Sequence, residues 1–205
     1  MARLVDWQIR TAAENGMISP YDPDRVNPAS YDLALDSIIK IETVRRVSDT
    51  CISWHEIDLS KSSYRRCLSS REIEEVIRVT DLDKNSKSLN EVYLLEPGQF
   101  ILASVVERLK LPRNIEAEFC LKSTSARSGI QQLMANYADP GYEGNLTLEL
   151  LNVSSSYIPI WPGMLIGQYK FNSLDTMPLR DYSQTGHYQG DEKARASRFY
   201  KESEN

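Results

Sequence analysis

Two neighbouring stretches of the chain carry side chains that could do chemistry together. Residues 122–129 read Lys-Ser-Thr-Ser-Ala-Arg-Ser-Gly, and residues 139–149 read Asp-Pro-Gly-Tyr-Glu-Gly-Asn-Leu-Thr-Leu-Glu. In the first, hydroxyls and two cations gather on a short turn. Ser123 or Thr124 is expected to cap a brief helix there, whose outward N–H groups would attract an anion. Arg127 follows Ser123 by four residues, on the same face of one helical turn, and its planar fork suits an oxyanion. A capped surface helix with solvated charges explains the same residues equally well. In the second stretch Asp139 and Tyr142 flank a tight turn, and Glu149 stands inside a strand-like run. Alternation puts Leu146, Leu148 and Leu150 on one face, and Glu149 on the other with Asn145, Thr147, Leu151 and Val153. On an open face Glu149 is an ordinary solvated residue. On a partly buried face desolvation raises its pKa toward neutrality and equips it to move protons.

Absent motifs narrow the chemistry. His55 and His187 are the two histidines, and neither sits in the H-x-E and P-C-x-x-C arrangement of zinc nucleobase deaminases. His187 reads as a surface residue. No G-x-S-x-G, Walker A or G-x-G-x-x-G pattern occurs, which argues against serine hydrolase, P-loop and dinucleotide readings. Cys51, Cys67 and Cys120 are odd in number and widely spaced, so they read as reduced thiols, with Cys120 in the core. A formal net charge of -5 opposes a long nucleic acid and leaves a small anion as the easier partner. No apolar run is long enough to span a membrane, and the start, Met-Ala-Arg-Leu-Val-Asp, lacks the layout of a secretory signal. A cytoplasmic location without membrane attachment is the expectation.

The elements that must position these residues are mostly strands. With 205 residues and 41% hydrophobic content the chain can build one sizeable core, so a single domain over 1–205 is expected. Asp6 is placed to cap a helix over about 7–15, and Gly16 to end it. Residues 27–35 form a turn feeding an alternating run, and 37–42 continue extended. The polar stretch 43–90 predicts one helix near 70–78. Beyond residue 91, Pro97-Gly98, Pro140-Gly141 and Pro162-Gly163 place proline and glycine as type II turns require. Between them, 100–106, 115–121, 145–153 and 164–171 are rich in residues that favour strands. The pattern predicts a mainly β barrel or sandwich with a few short helices. After Asp181 the chain turns polar, and 186–197 reads as a mobile tail.

The motifs together resemble the dCTP deaminases of the dUTPase-like superfamily. The resemblance rests on residues 122–129, 139–149 and Trp161-Pro-Gly-Met-Leu-Ile-Gly-Gln168, in that order. It extends to Asn27-Pro-Ala-Ser-Tyr-Asp-Leu, Leu95-Glu-Pro-Gly-Gln-Phe and Tyr188-Gln-Gly, and is weakest over 43–90. It implies a distorted β-barrel assembled as a homotrimer with sites between subunits, and a tail over about 182–205 acting as a lid. It implies zinc-independent hydrolytic deamination of dCTP to dUTP and ammonia, with Mg2+ carried by the triphosphate. Glu149 matches the family's general base and proton shuttle, Ser123 and the backbone of Ala135 hold the attacking water, and Arg127 stabilises the arrangement. Lys122, Thr124 and Gln168 face phosphates, and Asp139 faces the deoxyribose 3′-hydroxyl. Tyr142, Tyr188 and Gln189 complete the substrate contacts, and dTTP is a candidate feedback inhibitor. A dUTP pyrophosphatase, or a bifunctional enzyme forming dUMP, is the alternative, because Asp139-x-x-Tyr142 and Gln168 also resemble dUTPase motifs. A non-catalytic nucleotide-binding regulator is a further one. The chain departs from the family between Gly129 and Asp139, where Met134 and Asn136 replace a common threonine and glycine. It departs again at His187 and Asp191, where a frequent lysine and glutamine are lost.

Overall fold

The structure, a computed structural model, describes residues 1–42, 54–61 and 92–198; the helix expected near 70–78, and Cys51 and Cys67, lie outside them. Helix α1 (Asp6–Glu14) starts one residue earlier than the sequence predicts. Gln8 reaches back to accept the Val5 N–H at 3.1 Å, so Val5 takes the capping position and Asp6 becomes the first helical residue. Gly16, at φ +91°, ends the helix as expected, its N–H on the Ala13 carbonyl at 2.9 Å.

The rest of the described chain is mainly strand. In order come β1 (Ala2–Arg3), β2 (Ile18–Ser19), β3 (Val26–Asn27), β4 (Ser30–Ala34), β5 (Ile38–Glu42), β6 (Trp54–Asp58), β7 (Tyr93–Leu95) and β8 (Phe100–Ser104). There follow β9 (Arg108–Lys110), β10 (Ile115–Leu121), β11 (Ile130–Gln132), β12 (Tyr137–Ala138), β13 (Glu143–Gly144), β14 (Thr147–Asn152), β15 (Ile158–Ile160) and β16 (Leu165–Ser173). Two short helices, α2 (Ser123–Arg127) and α3 (Tyr182–Thr185), interrupt them. The prolines and glycines do what their pairing predicts, with Gly98, Gly141 and Gly163 all at positive φ, 73°, 84° and 83°.

Two sheets position the chemistry. One runs β12-β10-β16-β4-β3, with β1 also on β16; the other runs β11-β14-β8-β5-β6. Across the first, Phe119 pairs with Tyr169 and Tyr169 with Tyr31, and all three are fully buried. They form the inner face with Phe171 and Leu33. Gly167 belongs to this packing, since a Cβ there would lie 2.2 Å from the Phe119 ring. Because strand side chains alternate, the neighbouring row Cys120, Gln168 and Asp32 faces the other way. Cys120 is therefore half-buried rather than in the core, Phe119 having taken the inward position. In the second sheet Leu148 and Leu150 point into the core, with Ile101 and Ala103 of β8 beside them.

Candidate active site

The alternation that buries Leu148 and Leu150 sends Glu149 to the opposite face of β14, beside Leu102 of β8. That face is not open. The chain after α3 crosses it: the Gly190 N–H donates to the Glu143 carbonyl at 2.7 Å, the Asn145 N–H to the Asp191 carbonyl at 2.9 Å, and the Arg195 N–H to Thr147 Oγ1 at 3.0 Å. Between sheet and strap lies a cavity of about 460 Å³, the size range of a small-molecule site. Its floor includes Trp54 and Phe100, packed edge to face with ring centroids 5.8 Å apart.

Glu149 lines this cavity, and its Oε2 is buried without a hydrogen-bond partner among the described residues. Burial pushes its pKa from 4.5 to about 7, opposed weakly by its own backbone N–H. Of the two readings of Glu149, the structure therefore selects the partly buried one. Asp139, at the end of the tight turn, lines the same cavity, and burial together with the charge of Glu116 moves its pKa upward. Tyr142 is 4% exposed and meets Tyr182 edge to face at 5.3 Å; burial, then Tyr182 and Asp191, keep its phenol protonated well above the ordinary range. Ala135 and Tyr188 complete the predicted residues found here.

The remaining predicted residues lie elsewhere. Gln189 spends its side chain on the backbone, accepting from the Glu143 N–H at 3.1 Å and donating to the Gly141 carbonyl at 3.2 Å. Ser123, Thr124 and Arg127 are exposed on α2, and none lines the cavity. The cap of α2 differs from expectation: Lys122 occupies it and no side chain bonds the first turn, so Ser123 and Thr124 are helical residues with outward hydroxyls. Lys122 instead pairs with Asp32, whose other oxygen accepts from Asn27 Nδ2 at 2.8 Å. Beside them Ser30 Oγ donates to Gln168 Oε1 at 2.7 Å. This polar patch, spread over β3, β4, β16 and the end of β10, is a second cluster distinct from the Glu149 cavity within one chain.

The profile of the dCTP deaminase-like family matches residues 3–174. A "dCTP deaminase, dUMP-forming" of Streptomyces griseus subsp. griseus is 30% identical, covering 96% of this chain and 95% of its own. One of Bifidobacterium adolescentis is 34% identical, covering 96% and 94%. The chain belongs to the dCTP deaminase-like family. A solved structure titled as the 2′-deoxycytidine 5′-triphosphate deaminase of Agrobacterium tumefaciens superposes with a TM-score of 0.57 at 22% identity. It covers 83% of this chain and 47% of that one, and shows the common fold.

Within this dCTP deaminase-like frame, the sequence did not point to Trp54, Phe100, Tyr182 or Asp191 as cavity residues. The alternation along 54–58 and 100–104 could have paired the two aromatics. The placement of Asp191 depends on a strap crossing from far along the chain and has no local signal. Among the described residues no group of three or more His, Cys, Asp and Glu is placed to hold a metal, and no helix is long and apolar enough to cross a membrane.

Proposed function

We propose that the chain converts dCTP to dUMP in two hydrolytic steps, with Glu149 as the proton-transfer group of the first. The observation that carries this is the partly buried Glu149 carboxyl, its Oε2 without a partner among the described residues and its pKa raised to about 7, in a cavity that also holds Asp139 and Tyr142. A general base works best when its pKa lies near the operating pH. Glu149 takes a proton from water as the oxygen adds to C4 of cytosine, then passes it to N3. The C4–N bond breaks and ammonia leaves with a further proton, so dCTP and one water become dUTP and ammonia. A second water then cleaves dUTP to dUMP and pyrophosphate. The dUMP product is preferred over dUTP because the two relatives above carry "dUMP-forming" in their names while covering nearly the whole chain. The earlier alternative, a bifunctional enzyme, is thus favoured over deamination alone.

In this reading Ser123 and the Ala135 backbone hold the water, Arg127 steadies the site, Lys122, Thr124 and Gln168 meet phosphates, and Asp139 accepts from the 3′-hydroxyl. Tyr142 and Tyr188 wall the nucleoside, while Gln189 pins the strap. Magnesium comes with the triphosphate as part of the substrate. The separation of Ser123 and Arg127 from the Glu149 cavity supports a homotrimer, in which one chain's α2 completes a neighbour's cavity. The segment 182–198 then serves as lid.

The test is to incubate the protein with dCTP and Mg2+ and read ammonia and pyrophosphate together. Equal amounts of both, with dUMP as product, are expected. Ammonia without pyrophosphate reduces the function to deamination, and neither product at high enzyme concentration overturns the proposal. Nucleotide binding without either product would instead support a regulator.

A further inference from the structure

Asp191 is 6% exposed and lines the cavity that holds Glu149. Its two oxygens are used unequally. Oδ1 accepts from Arg198 Nη2 at 2.6 Å and lies 3.7 Å from Arg195 Nε, whereas Oδ2 is buried with no hydrogen-bond partner among the described residues. The anchor is itself braced: the Arg198 guanidinium stacks 5.0 Å above the Tyr188 ring, and the Arg198 backbone N–H donates to Tyr188 Oη at 3.2 Å. The backbone around Asp191 is held against β13, where only a glycine fits. A Cβ on Gly144 would lie 2.9 Å from both the Asp191 carbonyl and Tyr142 Oη. The side chain is thus fixed in place with one acceptor unspent.

A buried acceptor left unsatisfied is costly, more so when charged, so a seat built this firmly around one implies a donor that arrives. Phosphate is the wrong chemistry, since two anions repel. We propose that Asp191 is a specificity residue whose Oδ2 accepts a hydrogen bond from the cytosine amino group of the bound nucleoside, the 3′-hydroxyl having its single proton engaged by Asp139. The tail of this chain therefore reads the nucleoside rather than the phosphates. This rests on the nucleotide reading above, but assigns a contact that the reading does not need.

Asp191→Asn is the informative change. Arg198 demands the oxygen, which turns the amide NH₂ toward the cavity and sets donor against donor. Binding is measured by calorimetry with Mg2+ in a Glu149→Gln background, using dCTP, 2′,3′-dideoxy-CTP and dUTP. Asp191→Asn should weaken dCTP at least tenfold, in line with loss of a charged hydrogen bond. dUTP, which lacks the amino group, should change less than twofold, whereas dideoxy-CTP, which keeps it, should weaken as dCTP does. Arg198→Ala, which loosens the strap without touching Oδ2, should weaken all three alike. Unchanged melting of each variant shows that it folds. Equal weakening of all three nucleotides by Asp191→Asn, or no weakening, as a resident water on Oδ2 would give, overturns the inference and leaves the functional reading standing. A parent protein that binds none of the three overturns both.

Discussion

Glu149→Gln should abolish ammonia release and at the same time make the protein more stable, by an amount that depends on pH in a calculable way. A carboxyl ordinarily at 4.5 and held at about 7 in the folded state binds its proton more tightly when folded than when unfolded. Stability is therefore lost as pH rises from 4.5 to 7, because the unfolded chain ionises first. At about 1.4 kcal/mol per decade, the full cost above pH 7 is about 3 kcal/mol, of which somewhat under 1 is already present at pH 5. A glutamine never ionises and escapes this term, although its own buried amide costs about 1–2 kcal/mol at every pH. The absolute gain is accordingly modest, but the difference between variant and parent should grow by about 2–3 kcal/mol from pH 5 to pH 8. For a chain of this size that is about 5–10 °C of melting temperature. Reversible urea or thermal unfolding of the pair at four pH values measures it. A difference that stays constant within about 0.5 kcal/mol would show that Glu149 is ionised and solvated in the folded protein, and would refute its role as a poised base.

The same carboxyl predicts a rate profile: kcat/KM should fall below about pH 7 with unit slope, and a flat profile down to pH 5.5 would contradict it. Leu148→Ala, at a fully buried position of β14, should cost about 2–5 kcal/mol in denaturant unfolding. Gly167→Ala should cost at least as much as an ordinary core overpacking, about 1–3 kcal/mol, because its Cβ would meet the Phe119 ring at 2.2 Å. Lys122→Ala should raise KM for the triphosphate about tenfold or more while leaving the melting temperature within a few degrees, which steady-state kinetics with dCTP would check.

How much of this could be read from the chain alone differs from element to element. The bounds of β10 match residues 115–121, where Ile115, Ala117 and Phe119 alternate with Glu116 and Glu118 and so mark one face for the core. Glu149 was placed on its strand and opposite Leu148 and Leu150, yet its burial could not be read, since what covers that face arrives from some forty residues downstream. The sequence expectation puts Cys120 inward, whereas Phe119 takes that place, because hydrophobic character alone does not set the phase of an alternation and the larger side chain does. Residue preference puts the α2 cap at Ser123 or Thr124, whereas extended Lys122 holds it and pairs with Asp32, a contact across ninety residues. Asp191 has no local signal, because Arg195 and Arg198 meet its carboxylate only through the fold of the strap.

The placement of α2 away from the Glu149 cavity has a consequence for mixtures of chains. If one chain's Arg127 completes another's Glu149, then a Glu149→Gln chain and an Arg127→Ala chain, each silent by itself, own complementary defects. Unfolding and refolding the two together should regenerate some sites in which both good halves meet, so that two dead preparations yield a live one. A single-chain site could never be rescued in this way, and at the level of a cell the shared arrangement makes the harm done by one defective allele depend on the company it keeps.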